Sequence, residues 1–265
     1  MLRPERLEEL RRYLLRLGRV VLAFSGGVDS AFLAAVAAET LGRRALLATA
    51  VSPFHAARER EQALMGAATL GLTHLLVFTR EWEQEEVVEN SPERCYYCKR
   101  AILSRIKETA AVWGTIWVLD GSNADDERDF RPGSRAAREL GILSPLQELG
   151  WTKSEIRDAA RQLGLAVWDR PSAACLASRF PYGERITPEK LRMVEGAEDL
   201  LASLGFSQLR VRHHGPLARI EVAEAELERA LKLRPEIIRG FKELGYTYVA
   251  LDLEGYRSGS LNQVL

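Results

Sequence analysis

The hexapeptide SGGVDS at residues 25–30 constrains the fold of this chain more than any other segment. The apolar run before it, at 20–24, predicts a buried parallel strand, and the alanine-rich run after it, at 31–40, predicts a helix. A strand that ends in a glycine-rich turn and leads into a helix leaves backbone N–H groups unpaired at the helix N-terminus. Such a junction binds anions, and in doubly wound sheets it lies where ligands bind. The segment therefore predicts a phosphate-binding loop.

The glycines and serines of this loop suit that role. Gly26 and Gly27 let the backbone approach a phosphate closely and adopt a positive φ where one is needed. Ser25 and Ser30 add hydroxyl donors. Asp29 would repel a phosphate, so we expect it to hold a Mg²⁺ ion or to cap the loop. The loop lacks the Gly-Lys-Ser/Thr ending of a Walker A motif.

Strand and helix patterns continue to alternate after the loop. The helix at 152–163 has a capping box, with Thr152 as N-cap and Glu155 three residues later. This order predicts a parallel α/β sheet wound by right-handed crossovers, in a Rossmann-like domain over 1–180. The patterns predict helices at 5–17, 57–70 and 98–112, and strands at 45–51, 74–78 and 116–119.

The character of the sequence changes after residue 180, where Pro and Gly punctuate the chain. We expect residues 181–265 to form a smaller α+β domain that binds substrate or mediates oligomerisation. Its patterns predict helices at 188–204 and 224–233, and strands at 208–213, 218–222 and 246–251.

Composition limits the classes of function. The 265 residues carry 37 basic and 37 acidic side chains, which gives no support to a nucleic-acid partner. No apolar run reaches the length of about 18 residues that a membrane span needs. Because the N-terminal residues 1–6 lack an apolar signal core, we expect a cytoplasmic protein. Three cysteines in that compartment favour metal ligands, catalytic thiols or small core residues over disulfides.

The cysteines form a pair and a single residue. Cys95 and Cys98 make a Cys-x-x-Cys pair, whose sulfurs reach one metal, one cluster or each other. With Cys175 they would make a three-thiolate site for a 4Fe–4S cluster or for zinc with a bound water; the alternative is two half-buried thiols at a helix start. Cys175 stands beside Ser178 and Arg179, and the Arg179 charge would stabilise a thiolate there.

Five other residues are candidates for binding nucleotide, substrate or metal. Lys153, just inside a helix start, would neutralise pyrophosphate, or is a solvated helix residue. Asp125 follows a strand end and would shape the adenosine or substrate site. Arg210 and Arg212 alternate on a predicted strand, so both lie on one face and suit a nucleotide phosphate, or are simply exposed. Glu221, on the neighbouring strand, would pair with an arginine or help to bind a metal.

A histidine pair follows the predicted strand at 208–213. We interpret His213 and His214 as surface residues near a turn rather than as ligands.

The hexapeptide at 25–30 resembles the signature of the PP-loop ATP pyrophosphatases, which cleave ATP between its α and β phosphates and adenylate a substrate oxygen. Longer stretches of the chain are similar to the LarE family of that superfamily, in order and over nearly the whole chain. These stretches are residues 92–99, 121–126, 144–146, 152–157, 171–179, 208–215 and 218–222.

The resemblance implies an ATP- and Mg²⁺-dependent sulfur transferase. LarE proteins convert the carboxylates of pyridinium-3,5-biscarboxylic acid mononucleotide into thiocarboxylates, for the nickel-pincer cofactor of lactate racemase. Some members sacrifice the sulfur of one cysteine, at the position of Cys175, and others bind a 4Fe–4S cluster through three cysteines. With Cys95 and Cys98 present, this chain resembles the cluster type. The resemblance also implies a phosphate contact by Lys153 and a homo-oligomer, often a hexamer. We expect Ser178 and Arg179, which lie beside Cys175, to bind nucleotide or substrate.

Two rival functions follow from the same features. A tRNA-thiolating enzyme would also combine a PP-loop with a Cys-x-x-Cys pair, but the balanced charge and the acidic segment 81–89 argue against RNA. A nucleotide sensor or iron–sulfur scaffold would bind ATP and release neither AMP nor pyrophosphate.

Overall fold

A computed structural model describes residues 4–128, 132–170 and 174–257. Helices and strands alternate along the first two thirds of the chain, and a separate, smaller sheet follows. This arrangement confirms the predicted α/β fold with a smaller α+β part. No helix in the described ranges combines the length and the apolar character that a membrane span needs.

The chain divides into two compact units. The first comprises Met1–Val87 and Glu93–Ala173, and the second comprises Val88–Pro92 and Ala174–Leu265. The chain therefore contributes to the second unit twice, first with a five-residue segment that the sequence patterns do not single out. The roles expected of the two predicted domains, ATP use and substrate binding or oligomerisation, stay predictions.

The first unit is built on a parallel sheet in the order β3-β2-β1-β4. Its strands are β1 (Val20–Ala23), β2 (Ala45–Val51), β3 (Thr73–Phe78) and β4 (Val118–Leu119). The helices up to residue 170 are α1 (Pro4–Leu17), α2 (Val28–Leu41), α3 (Ala57–Leu70), α4 (Glu85–Val88), α5 (Arg94–Val112), α6 (Pro132–Glu139), α7 (Pro145–Glu148) and α8 (Lys153–Gln162).

Both faces of this sheet are covered by helices, because successive side chains of a strand point to opposite faces. Val20 and Leu22 of β1 pack in one cluster with α1, α2, α3 and α8. Val21, between them, packs in another cluster with Leu103 of α5 and Ala137 of α6. This two-sided burial explains why β1 reads as a continuous apolar run rather than an alternating one.

The starts of three helices in the first unit can be compared with the predicted ones. α2 begins at Val28, inside the hexapeptide, and the capping box of Thr152 and Glu155 is confirmed at the start of α8. α5 begins at Arg94, four residues before the predicted start. Contacts with α6 explain the extra turn: the Tyr96 hydroxyl donates to Glu139 at 2.6 Å, and Arg135 stacks on the Tyr96 ring.

The second unit has a three-stranded sheet in the order β5-β6-β7. The first pair of strands is antiparallel and the second is parallel. The elements are β5 (Leu209–His214), β6 (Leu217–Val222), β7 (Tyr248–Leu251), α9 (Pro188–Ser203), α10 (Leu227–Lys232) and α11 (Arg234–Glu243). The sequence patterns missed α11, whose buried Ile237 and Phe241 complete the core of this unit.

Candidate active site

The hexapeptide forms a loop that is braced by its own serines. Ser30 donates from Oγ to the carbonyl of Gly27 at 3.0 Å, and its Oγ lies 3.1 Å from Ser25 Oγ. The Gly27 N–H donates to Ser25 Oγ at 3.3 Å. The loop follows β1, which pairs with β2 on one side and with β4 on the other. This is the switch point of a doubly wound sheet, where ligands bind.

The two glycines of the loop have different structural requirements. Gly26 has a φ of 73°, and a Cβ there would lie 2.9 Å from the Cα of Ala63 in α3. Gly27 has an ordinary φ of −74°, and a Cβ there would meet only Ser25 Oγ, at 3.4 Å. Gly121, just after β4, is equally confined, because its Cβ would lie 2.9 Å from the N atom of Ser30. Gly26 and Gly121 thus let α3 and the end of β4 pack against the loop.

This difference predicts unequal effects of the two alanine substitutions. Gly26→Ala should lower the free energy of unfolding by about 2–4 kcal/mol, through the left-handed backbone and the collision with Ala63. Gly27→Ala should cost less than about 1 kcal/mol, since its backbone suits any residue. Urea unfolding of both variants checks the order, and equal stabilities would contradict it.

Asp29 and Lys153 form an ion pair at the start of α2. The pair occupies Oδ2 of Asp29, whereas its Oδ1 is buried and has no hydrogen-bond partner within the described chain. Burial raises the pKa of Asp29, and Lys153 offsets only part of that effect. An orphaned, buried carboxylate oxygen fits the predicted Mg²⁺ ligand, because Mg²⁺ prefers oxygen donors. The Lys153 N–H also donates to Asp125 Oδ2 at 2.8 Å, so these three predicted residues are brought together.

A cleft of about 350 Å³ opens beside the loop within the first unit. Ser25, Asp29 and Ser30 line one part of it. Apolar residues line another part, with Ala23 and Ala48 from the sheet among them. α5 contributes further apolar side chains, namely Ile102, Leu103 and Ile106. A cleft with polar donors at one place and apolar walls elsewhere suits a nucleotide, whose phosphates and base need these two environments.

Sequence reasoning missed a second ion pair that lines this cleft. Lys99 Nζ lies 2.9 Å from Asp120 Oδ2, and Ser122 and Ser144 donate to the same carboxylate. Burial alone would raise the pKa of Asp120, but Lys99 and these hydrogen bonds together hold it below its ordinary value. Two features of the sequence could have indicated this pair, namely the position of Asp120 at a strand end and the position of Lys99 next to Cys98.

The three cysteines form no disulfide, and they are divided between the units, with Cys95 and Cys98 in the first and Cys175 in the second. Cys95 and Cys98 lie near the start of α5, at a spacing that places neighbours on one side of a helix. Cys175 lies in the second unit, directly before a 3-10 turn at Leu176–Arg179. Over the ranges 4–128, 132–170 and 174–257, no three His, Cys, Asp or Glu side chains are grouped to hold a metal. Residues 171–173 of the predicted cysteine stretch lie outside these ranges.

Arg179 is buried beside Cys175 and forms a two-point ion pair with Glu198 of α9, with both N–O distances 2.9 Å. It also donates to the carbonyls of Ala174 and Cys175 and to Ser178 Oγ. The guanidinium charge is thus balanced by Glu198, which sequence reasoning missed. Any influence of Arg179 on the Cys175 thiol stays a prediction.

The predicted arginine pair lies on one face of β5, as its spacing indicates. Arg212 forms a two-point ion pair with the buried Glu221, at 2.8 and 2.9 Å, and donates to the carbonyl of Ser178. Glu221 also pairs with Arg219 at 3.1 Å, so the arginine alternative for Glu221 is confirmed. Arg210 is half-buried, with its guanidinium over the ring of Tyr256.

The interpretation of the histidine pair as surface residues is wrong for His213. This ring is only 2% exposed. Its Nδ1 lies 3.2 Å from the Tyr246 hydroxyl, and its Nε2 lies 3.3 Å from the Glu184 carboxylate. Burial lowers the pKa of His213, and Glu184 offsets part of that effect. The polar residues around the turn suggested an exposed site, but His213 occupies an inward-facing position of β5.

Known proteins resemble the chain along most of its length, although no protein-family model matches it. It is 45% identical over 262 residues to an uncharacterised protein of Synechocystis, covering 98% of each chain. It is 38% identical over 250 residues to the pyridinium-3,5-bisthiocarboxylic acid mononucleotide synthase of Lactiplantibacillus plantarum, covering 94% of this chain and 91% of that protein. A tRNA-specific 2-thiouridylase of Heliobacterium modesticaldum is 28% identical over 192 residues, which are 58% of this chain and 50% of that enzyme.

These similarities differ in how much of each chain they cover. The likeness to the thiouridylase covers about half of that enzyme and agrees with a PP-loop at the end of β1. The likeness to the synthase covers more than nine tenths of both chains. Together with the parallel sheet, it shows that the chain belongs to the LarE family of the PP-loop superfamily.

Proposed function

We propose that this chain is an ATP-dependent sulfur transferase acting on pyridinium-3,5-biscarboxylic acid mononucleotide. Each substrate carboxylate would be adenylated and then converted into a thiocarboxylate. The observation that carries the proposal is the end-to-end similarity to a synthase whose name gives the corresponding bisthiocarboxylic acid. The product would serve the nickel-pincer cofactor of lactate racemase, in a reducing cytoplasmic setting that suits three free thiols.

The first unit carries the residues for adenylation. The N-terminus of α2 and the loop N–H groups would hold the phosphates of ATP, and the apolar wall from α5 would take the base. Mg²⁺ bound at Asp29 would neutralise phosphate charge, which would release Lys153 for a phosphate oxygen. A substrate carboxylate oxygen then attacks the α-phosphorus, the bond to the bridging oxygen breaks, and pyrophosphate leaves. Adenylation is needed because a carboxylate is a poor electrophile.

Cys175 would supply or deliver the sulfur. In a sacrificial route, its thiolate attacks the acyl-adenylate carbonyl and AMP leaves. Loss of the α proton and cleavage of the Cβ–S bond then leave dehydroalanine in the chain and the thiocarboxylate on the substrate. Ser178 and Arg179 hold the backbone of Cys175 in place, since both donate to its carbonyl oxygen.

The alternative sulfur source is a 4Fe–4S cluster, which supplies a bound sulfide when it is present. Three thiolates are a suitable donor set, and they would be those of Cys95, Cys98 and Cys175. These thiols belong to both units, Cys95 and Cys98 to the first and Cys175 to the second.

Oligomerisation and the second-unit residues belong to the same proposal. We expect a homo-oligomer, with a hexamer as the form that the family favours.

Arg210 would bind the phosphate of the substrate nucleotide, since no ion pair to it is found over 174–257. Arg212 would do so only by giving up part of its pairing with Glu221. A metal at Glu221 would have to displace its two arginine partners.

Product analysis with and without the carboxylate substrate tests the proposal. The protein, purified without oxygen, is incubated with ATP, Mg²⁺ and the bis-carboxylate mononucleotide. AMP and pyrophosphate should form only when the substrate is present, and the substrate should gain one sulfur for each AMP. An iron count and the mass of the chain separate the routes: an iron-free chain that loses one sulfur per turnover follows the sacrificial one. ATP binding without AMP release would identify a nucleotide sensor instead.

A further inference from the structure

The cations around the nucleotide cleft are not equally available. Lys153 is paired with Asp29, and Lys99 is paired with Asp120. Arg60, in the first turn of α3, also lines the cleft. No carboxylate found in the described part of the chain lies within ion-pair distance of it. Among the residues that the structure describes, Arg60 therefore lines this cleft without a counter-ion.

His55 lines the same cleft, just before α3 begins. Its Nδ1 lies 3.3 Å from Ser52 Oγ, which fixes the ring and leaves Nε2 without a hydrogen bond from the residues that the structure describes. Ser52 also accepts the Phe54 N–H at 3.3 Å, so its hydroxyl is itself held. The ring thus presents a fixed nitrogen on the wall that carries Arg60.

Glu81 is a buried carboxylate that acts on the charge of His55. Its side chain is fully buried, and neither carboxylate oxygen has a hydrogen-bond partner among the described residues. A buried carboxylate without a partner is costly unless a cation compensates it. Burial lowers the pKa of His55, and the Glu81 charge offsets only part of that effect, so the neutral ring is favoured. With the Ser52 hydroxyl donating to Nδ1, the neutral ring carries its proton on Nε2 and can donate it to a phosphate oxygen.

We propose that Arg60 and His55 form a second anion subsite, which binds the two outer phosphates of ATP and then holds the pyrophosphate that adenylation releases. α3 is positioned for this role because Gly26 of the loop packs against its Ala63. The loop and the subsite would hold the triphosphate from two sides. Arg60 is the main phosphate ligand, since a guanidinium can donate two parallel hydrogen bonds to a phosphate.

The subsite deepens the proposed function and rests on it, yet its test needs only binding. Isothermal titration compares ATP, pyrophosphate and AMP with the full-length protein and Mg²⁺. Arg60→Met should lower the affinity for ATP and for pyrophosphate by about 10- to 100-fold, which is the usual effect of losing a charge-assisted hydrogen bond. The same variant should change AMP affinity less than about twofold, since AMP has no outer phosphates. Arg60→Lys should recover part of the loss.

His55→Gln gives a second readout, with a smaller loss for the same two ligands and none for AMP. Arg43→Met, at an exposed site in the Gly42–Arg44 turn, is the matched control and should leave all three affinities unchanged. Equal losses for ATP and AMP, or no loss for ATP, would overturn the subsite. A wild-type protein that binds ATP with Arg60-dependent affinity but makes no AMP with the substrate would overturn the proposed function alone.

Discussion

The Cys175→Ala variant is expected to form pyrophosphate no more than once per chain, to release no AMP and to transfer no sulfur. The Cys175 side chain carries the only sulfur that the sacrificial route can donate, and in a cluster route it is one of three ligands. Removal of an essential nucleophile should reduce thiocarboxylate formation at least about 10³-fold. ATP affinity should stay within about twofold, because the loop and cleft belong to the first unit. Mass spectrometry of the substrate and titration with ATP provide the two measurements.

Cys95→Ala and Cys98→Ala are the matched variants for this experiment. If Cys175 acts sacrificially, both should retain sulfur transfer, because neither thiol takes part in the chemistry. If three thiolates act together, each should lose transfer as completely as Cys175→Ala does. Sulfur transfer by Cys175→Ala itself would contradict the assignment of this residue in either route.

The Glu198→Ala variant is expected to lower the free energy of unfolding by about 3–5 kcal/mol, since it leaves the buried Arg179 without its counter-charge. Both residues are only 1% exposed, so water cannot take over the role of the carboxylate. Glu198 also accepts the N–H of Val211, which would lose its partner. Denaturant unfolding followed by circular dichroism measures the effect. Arg192→Ala, on the solvent side of the same helix, should cause no measurable change.

The pH dependence of the stability loss in Glu198→Ala follows from the direction in which the pKa of Glu198 is shifted. Burial alone would raise the pKa of Glu198, but Arg179 and the Val211 N–H hold it below its ordinary value. A carboxyl with a lowered folded-state pKa stabilises the fold fully above its unfolded pKa of about 4.3. That stabilisation is lost as the pH falls through the folded value. The gap between wild type and Glu198→Ala should therefore narrow below about pH 4, and a constant gap would contradict this account.

Local patterns predicted the strands and the longer helices of the first unit, because these elements depend on local signals. They missed the shorter helices α4, α6 and α7. The β1 run, the alternation of strands with helices and the Thr152 capping box each identify an element without any distant contact. The position of the loop followed from the same signals. The start of α5 was missed because its first turn depends on Tyr96 and Arg135, and the latter belongs to a helix some forty residues further along.

Pairings between distant charged residues could not be read from the sequence. The spacing of Arg210 and Arg212 gave their common face, but it did not show that Arg212 is held by Glu221. Similarly, the sequence placed Arg179 beside Cys175 without indicating that Glu198 balances it. Such pairs form when helices and strands pack, and a single sequence contains no local signal for their choice of partner.

The five residues at 88–92 limit how the second unit can be studied alone. Within that unit, Asn90 Nδ2 donates to the carbonyl of Pro181 at 2.6 Å, the Gly183 N–H donates to the carbonyl of Asn90, and the Ile186 N–H donates to that of Val88. A truncated chain beginning at residue 174 would lack the partners of all three bonds. We therefore expect such a fragment to expose Ile186 and to express poorly, whereas a circularly permuted or split version that supplies 88–92 should fold.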